Sequence, residues 1–141
     1  MVREGARSFE WVLPHDARSP RVARNLLDHR CQELDFPGEM RELVRLVATE
    51  LVTNAFLHTG SALNLRFDIE PDHVRLEVSD DEPLFRRPSL DRFATNGRGL
   101  HIIESLSSNW GVRSSPGGKT VWATISRKWP VGPGTGGSQA R

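Results

Sequence analysis

Apolar residues recur along the chain with two periods, one typical of strands and the other of helices. Alternation with a period of two predicts strands, and apolar positions three or four residues apart predict helices. The predicted strands are residues 8–13, 62–69, 73–78, 110–113 and 119–126. The predicted helices are residues 16–34, 39–58 and 99–106, and Asp16 is the expected N-cap of the first. This order predicts an α/β (α+β) two-layer sandwich, with a mixed, mostly antiparallel sheet that carries the helices on one face.

Three stretches of the chain show neither the strand period nor the helix period. Residues 80–97 contain Pro83, Pro88 and several charges, and a loop of that length inside a compact domain is usually functional, often a mobile lid, or else disordered. Residues 1–7 are polar, and residues 129–141 are rich in Gly, Pro and Ser. We therefore expect one domain at residues 8–128 between a disordered N-terminus (1–7) and a disordered tail (129–141).

Charge and cysteine content narrow the choice of partner and compartment. The net charge of +1 and the lack of a dense Lys/Arg run give no reason to expect direct nucleic-acid binding. No apolar run approaches the length of a membrane span, so no membrane contact is expected. The single cysteine, Cys31, cannot form an internal disulfide. The chain is therefore expected in the cytoplasm.

The second helix carries the most informative side chains. Glu50, Asn54 and His58 are four residues apart, so at about 100° per residue they share one face with several leucines and valines. Polar groups on an apolar face are costly unless they bind something. The Asn54 oxygen could bind Mg²⁺, and Glu50 could deprotonate an attacking hydroxyl. The alternative is an ordinary solvated face, and His58 is either structural or at the rim of the site.

Two further candidates lie at strand ends. Asp80 follows a predicted strand, where its carboxylate could accept a hydrogen bond from an exocyclic amine such as that of adenine. The alternative is a plain acidic turn. Thr120 enters the last strand after a glycine turn, which could equally be a hairpin turn with no ligand.

A glycine pair precedes the third helix. Gly97 and Gly99 flank Arg98, and Leu100 follows them. Glycines allow a backbone to approach a phosphate closely, and a helix N-terminus favours the anion. Glycines also begin helices and close loops without any ligand, and Arg98 could simply face water.

In order and spacing, these segments together resemble the GHKL superfamily, the ATP-binding domains of the gyrase, Hsp90, histidine kinase and MutL type. Glu50 and Asn54 match its N box, Asp80 the aspartate of its first glycine box, and Gly97 with Gly99 its second. Within it, the chain is similar to the small bacterial anti-sigma factor serine kinases. Their motifs resemble ELVTNAFLH (50–58), NGRGLHIIESL (96–106) and WGVRSSPGGKTVWATI (110–125).

The resemblance implies a Bergerat-type fold, ATP and Mg²⁺ as cofactors, and two partners. Relatives hold a sigma factor inactive or phosphorylate a serine on a STAS-type anti-sigma factor antagonist, and they often form homodimers. By position, Glu50 would be the catalytic base and Asn54 the Mg²⁺ ligand. The other nucleotide-binding residues would be Asp80 and Thr120 at the adenine, and Gly97, Arg98, Gly99 and Leu100 at the phosphates.

One segment departs from the family pattern. The first glycine box normally reads Asp-x-Gly-x-Gly, whereas here Asp80 is followed by Asp81, Glu82, Pro83 and Leu84. Missing glycines restrict the approach of the backbone to a ligand, and Glu82 adds negative charge near a polyanion. The alternative function is therefore a catalytically inactive module of the same fold that regulates a partner without phosphoryl transfer.

Overall fold

Five alternating segments form one sheet in the computed structural model, which describes residues 7–81 and 98–128. The strands are β1 (Arg7–Leu13), β2 (Leu63–Ile69), β3 (His73–Asp80), β4 (Asn109–Ser115) and β5 (Gly118–Ser126). They lie in the order β1-β2-β3-β5-β4, and each of the four pairings between the described strands is antiparallel. The expectation of a mostly antiparallel sheet is confirmed.

Three helices among the described residues form the second layer. They are α1 (Ser19–Glu33), α2 (Gly38–His58) and α3 (Arg98–Leu106). The central helix is α2, because it packs against both other helices and against β2, β3 and β5. The outer helices reach the outer strands, α1 at β1 and α3 at β4. Apart from the start of α1, the predicted boundaries are correct to within two residues.

Alternating burial shows that the helices cover one face of the sheet. On β2, Leu63, Leu65, Phe67 and Ile69 are buried, while the residues between them are at least partly exposed. The antiparallel register continues this buried face into the neighbouring strands. Its members there are Val74, Leu76, Val78, Val121, Ala123 and Ile125. The predicted two-layer sandwich is therefore confirmed.

The expected N-cap role of Asp16 is wrong. Helix α1 begins at Ser19, and no side chain caps its N-terminus by a hydrogen bond. Asp16 instead accepts hydrogen bonds from the backbone N–H of Arg18 at 2.7 Å and from its guanidinium at 3.1 and 3.2 Å. These bonds lower the pKa of the Asp16 carboxyl to about 2. The physical reason lies in Pro20, which presets the first helical turn and has no N–H for a cap to bind.

The turn between α1 and α2 depends on a residue in the left-handed conformation. Asp35 has a φ of 56°. Its N–H donates to the carbonyl of Gln32 at 3.1 Å, and the N–H of Phe36 donates to the carbonyl of Cys31 at 3.0 Å. This pair of hydrogen bonds is the Schellman pattern, which satisfies the last carbonyls of α1. It also directs the buried Phe36 into the core.

Parts of the chain lie outside the described residues. They are residues 1–6, 82–97 and 129–141. Most of the predicted lid, the predicted tail and Gly97 fall in them, so the domain limits of 8–128 stay a prediction. No described helix is both long enough and apolar enough to cross a membrane.

Candidate functional site

Asn54 is a buried amide without a hydrogen-bond partner among the residues that the structure describes. Its side chain lies on α2, and only 2% of the residue is exposed. Neither the amide oxygen nor the amide nitrogen has a partner in the described part of the chain. Buried polar atoms nearly always have partners, and each unsatisfied one costs about 1–3 kcal/mol. Leu51 and Ala55 on the same helix are also buried, so the amide lies in a buried part of α2.

Glu50 lies one helical turn before Asn54, on the same stripe of α2. This stripe is the line of residues Leu46, Glu50, Asn54 and His58, which are four positions apart. Glu50 is only partly buried. His58 lies one turn after Asn54, at the end of the helix, and is also partly buried. Leu46, one turn before Glu50, is 39% exposed, which shows that the stripe runs from the surface into the interior. The structure thus places a partly exposed glutamate and a buried asparagine one turn apart on α2.

The register of the sheet places Asp80 at the same end of the molecule as this stripe. Strand β2 begins five residues after α2 ends, so the start of β2 lies at the C-terminal end of α2. Ser79 pairs with Asn64 at that start, and Asp80 pairs with Lys119 at the start of β5. The end of β3 and the C-terminal half of α2 therefore form the same end of the two layers.

An open cleft of about 260 Å³ lies at this end of the sheet. The residues lining it are Val12, Ala62, Leu63, Asn64, Ser79, Asp80 and Asp81.

Asp80 forms a buried ion pair with Lys119. The Lys119 Nζ is 2.9 Å from one carboxylate oxygen and 3.0 Å from the other. The Lys119 side chain is 7% exposed and that of Asp80 is 2% exposed. Asp80 is two residues after the buried Val78, and Lys119 is two residues before the buried Val121, so both side chains project towards the helices. The two charges therefore meet inside the molecule, between the layers.

Comparison with protein families identifies the fold. The family described as the histidine kinase-like ATPase domain matches residues 13–125. The chain belongs to this family. A comparison with curated proteins found no match. Among solved structures, the chain is similar to a protein chain in "The crystal structure of SiaB-SiaC complex from Pseudomonas aeruginosa". The TM-score is 0.58 and the sequence identity is 13%, and the match covers 83% of this chain and 88% of that chain. At that identity the likeness shows a shared fold.

In this histidine kinase-like ATPase domain, Thr120 does not accompany Asp80 as the sequence predicted. The side chains of successive strand residues point to opposite faces. Because Lys119 pairs with Asp80, Thr120 pairs with Ser79 on the other face of the sheet. The two hydroxyl oxygens lie 2.8 Å apart, within hydrogen-bonding distance. Thr120 is thus separated from Asp80 by the sheet itself, which corrects the predicted pairing of these two residues around a base.

The phosphate-binding segment is only partly described. Residues 98–100 form the first turn of α3, whereas Gly97 lies outside the described residues. The other end of α3 leads into the sheet, where the Ser108 N–H donates to the carbonyl of Thr124 on β5 at 2.8 Å. A helix N-terminus at residues 98–100 suits an anion, because its backbone N–H groups lack helical partners. The roles of this segment stay predictions.

Gly118 allows β5 to approach the end of β3. Its φ is +156°, and a Cβ at this position would clash with the Asp80 carbonyl oxygen and lie 2.9 Å from the Asp81 Cα. A side chain cannot be accommodated there without moving one of the two strands. Gly118 therefore fixes the backbone on which the next residue, Lys119, projects towards Asp80.

Sequence reasoning missed Lys119. The sequence predicted Lys119 as the first residue of the strand 119–126 and assigned it no role. A usable signal was nevertheless present, because counting back by two from Val121 places Lys119 on the buried face of β5. A lysine on a buried face requires an anionic partner. Asp80, at the end of the other hairpin, provides that partner.

Proposed function

We propose that this protein is a cytoplasmic ATP- and Mg²⁺-dependent protein-serine kinase that regulates a partner protein by phosphorylating it. Membership of the histidine kinase-like ATPase family supports nucleotide binding. The single observation that carries the proposal is the buried Asn54 amide, which has no partner in the described part of the chain and lies one turn from Glu50.

The Asn54 amide fits a magnesium–nucleotide complex. Its oxygen is a ligand of the kind that Mg²⁺ accepts, and phosphate oxygens and water commonly supply the rest of its octahedral shell. A bound Mg²⁺ would neutralise charge on the triphosphate during phosphoryl transfer. Burial of the amide keeps its orientation fixed and keeps bulk water from competing for it. The cost of the unsatisfied amide in the free protein is then offset when the ligand binds.

Glu50 is the residue that we propose as general base. The residue is partly exposed, which supports access by a hydroxyl of a second protein. In this role Glu50 would orient the serine hydroxyl of the partner and accept its proton as the serine oxygen bonds to the terminal phosphorus and ADP leaves. A backbone N–H cluster at the start of α3 would hold the phosphates in line.

The partner that we propose is a small STAS-type antagonist, with a sigma factor as the protein that the kinase holds inactive. The motif resemblance to anti-sigma factor serine kinases supports this choice. The similar solved structure is of a complex between two proteins, SiaB and SiaC, and this supports a second protein as the target.

Calorimetric titration with ATP, in the presence and absence of Mg²⁺, tests the nucleotide site. We expect saturable binding that requires Mg²⁺ and is lost in Asn54→Ala. The matched control is Asn25→Ala, because Asn25 is an exposed asparagine on α1. Wild-type affinity in Asn54→Ala, or no binding at millimolar ATP, would contradict the proposal.

Phosphate transfer to a purified STAS-type protein tests the chemistry. Glu50→Gln should retain ATP binding and lower the transfer rate by about 10²–10⁴-fold, the usual contribution of a general base. The matched control is Glu42→Gln, an exposed glutamate on the same helix. Transfer by Glu50→Gln at the wild-type rate would remove Glu50 from the catalytic role.

A second candidate function has its own supporting observation. Asp80 is engaged by Lys119, and the glycines expected after Asp80 are replaced by larger residues. Both features favour a module that regulates its partner by binding alone. Stoichiometric transfer of phosphate to any partner would exclude this alternative, whereas nucleotide-independent capture of a partner with no transfer would support it.

A further inference from the structure

The Lys119 ammonium group is within hydrogen-bonding distance of both carboxylate oxygens of Asp80. We propose that Lys119 is a specificity-determining residue that withholds Asp80 from base recognition, so that the site binds nucleoside triphosphates through their phosphates and hardly distinguishes adenine from guanine. This inference rests on the proposed function, because it requires that a nucleotide binds.

The geometry of the ion pair leaves little opportunity for a competing donor. Both carboxylate oxygens of Asp80 lie within 3.0 Å of the Lys119 Nζ. Hydrogen bonds between two charged groups are about twice as strong as those between neutral groups. An exocyclic amine is a neutral donor and cannot replace an ammonium group at the same oxygens without a large loss. The side chain of Asp80 is also only 2% exposed, so a base would have to displace the lysine to reach it.

The position of Lys119 is set by the backbone. Lys119 and Asp80 are directly opposite each other in the antiparallel register of β3 and β5. Immediately before this pair, Gly118 allows the backbones of the two strands to approach closely, because no side chain fits there. The lysine stem is buried with its charge, at 7% exposure. Movement of Lys119 away from Asp80 would break a buried ion pair, and breaking a buried ion pair is strongly disfavoured.

The chemistry of the two purines makes the inference measurable. Adenine carries an amine at the position where guanine carries a carbonyl oxygen. An available carboxylate accepts a hydrogen bond from the amine and repels the oxygen, so it selects ATP over GTP. Sites that hydrogen-bond a polar group of the ligand discriminate strongly against analogues without that group. A carboxylate already held by an ammonium group contributes no such selectivity.

The first measurement uses the unmodified protein. Calorimetric titrations with ATP, GTP and inorganic tripolyphosphate, each with Mg²⁺, give three dissociation constants. We expect the ATP and GTP constants to agree within tenfold and tripolyphosphate to compete with both. A preference for ATP of more than tenfold would overturn the inference and leave the proposed function standing. Absence of binding for all three compounds would overturn the proposed function, and the inference with it.

The second measurement asks whether Lys119 is the cause. Lys119→Thr removes the ammonium group, and threonine suits a strand and leaves space beside Asp80. We expect the ATP-to-GTP preference to rise at least tenfold above the wild-type value. The matched control is Lys128→Thr, because Lys128 is an exposed lysine just after β5, and it should keep the wild-type ratio. A folded Lys119→Thr with an unchanged ratio would overturn the role of Lys119. If this variant does not fold, the ratio of the ATP and GTP dissociation constants of the wild-type protein decides whether the inference stands.

Discussion

In the absence of nucleotide, the Asn54→Leu variant should be more stable than the wild-type protein. Leucine has the same branching as asparagine but no polar atoms. The substitution therefore removes two buried atoms that have no hydrogen-bond partner in the described part of the chain. Most substitutions of a buried residue are destabilising, so a gain in stability here would be specific to an amide that is kept for a ligand.

The expected magnitude follows from three contributions. Relief of an unsatisfied buried amide is worth about 1–3 kcal/mol. The higher helix propensity of leucine adds about 0.4 kcal/mol, because position 54 is inside α2. The larger methyl groups oppose these gains by about 1–2 kcal/mol where the core is tightly packed. We expect a net stabilisation of about 1 kcal/mol, which in a domain of this size raises Tm by roughly 3–5 °C.

Asn25→Leu separates the propensity contribution from the desolvation contribution. Asn25 is also inside a helix, but it is exposed. Its replacement changes helix propensity in the same way and leaves the desolvation of the core unchanged. Asn25→Leu should therefore gain only about 0.4 kcal/mol. The difference between the two variants measures the cost of burying the Asn54 amide.

Thermal melts with and without MgATP are the appropriate assay. A ligand at 100 times its Kd stabilises the folded protein by about 2.7 kcal/mol. The wild-type protein should gain this stabilisation and Asn54→Leu should gain none, so the order of the two Tm values should reverse when MgATP is added. Two results would refute the reasoning. One is a loss of more than about 1 kcal/mol in Asn54→Leu without nucleotide, and the other is a wild-type Tm shift with MgATP in that variant.

Three further predictions concern the backbone and the surface. Gly118→Ala should lower the free energy of unfolding measured in urea by about 2–4 kcal/mol, because the new Cβ meets backbone atoms. Gly117→Ala is the control, because no atom lies within 4 Å of its new Cβ, and it should change the free energy of unfolding by less than about 0.5 kcal/mol. Asp35→Gly should be more stable than Asp35→Val by about 1–2 kcal/mol, because position 35 has a φ of 56°. The pKa of Asp16 is lowered from 3.8 to about 2, so its stabilising contribution is present above pH 3.8 and lost as the pH falls through 2. NMR titration should show this pKa rising in Arg18→Gln.

Local patterns in the sequence were sufficient to predict the layers of the fold. Helix α2 was predicted almost to its ends, because its apolar residues repeat every three or four positions over 21 residues. Asn54 and Glu50 were placed on one stripe for the same reason, since residues four apart on a helix share a face. Only the start of α1 deviated by more than two residues, because the effect of Pro20 on the first turn outweighed the capping preference of Asp16.

The partner of Asp80 could not be predicted from local patterns. It depends on how β5 aligns with β3, and 39 residues separate Asp80 from Lys119. A shift of one residue along a strand moves a side chain to the opposite face. The register of β5 against β3 therefore determines that Lys119, and not Thr120, lies beside Asp80. The close backbone approach at Gly118, which fixes that register, is visible only in three dimensions.

The Asn54 end and the Asp80 end of the candidate site differ in whether their polar groups already have partners. This difference determines where a ligand can gain binding free energy. At α2, the Asn54 amide is buried without a partner in the described part of the chain, so a ligand that satisfies it removes an existing cost. At the sheet, Asp80 already has a charged partner, so a ligand that engages it must first break a favourable contact. A ligand therefore gains at the Asn54 end and gains nothing at the Asp80 end. For a nucleoside triphosphate, that asymmetry favours recognition through the phosphates and the metal ion over recognition through the base.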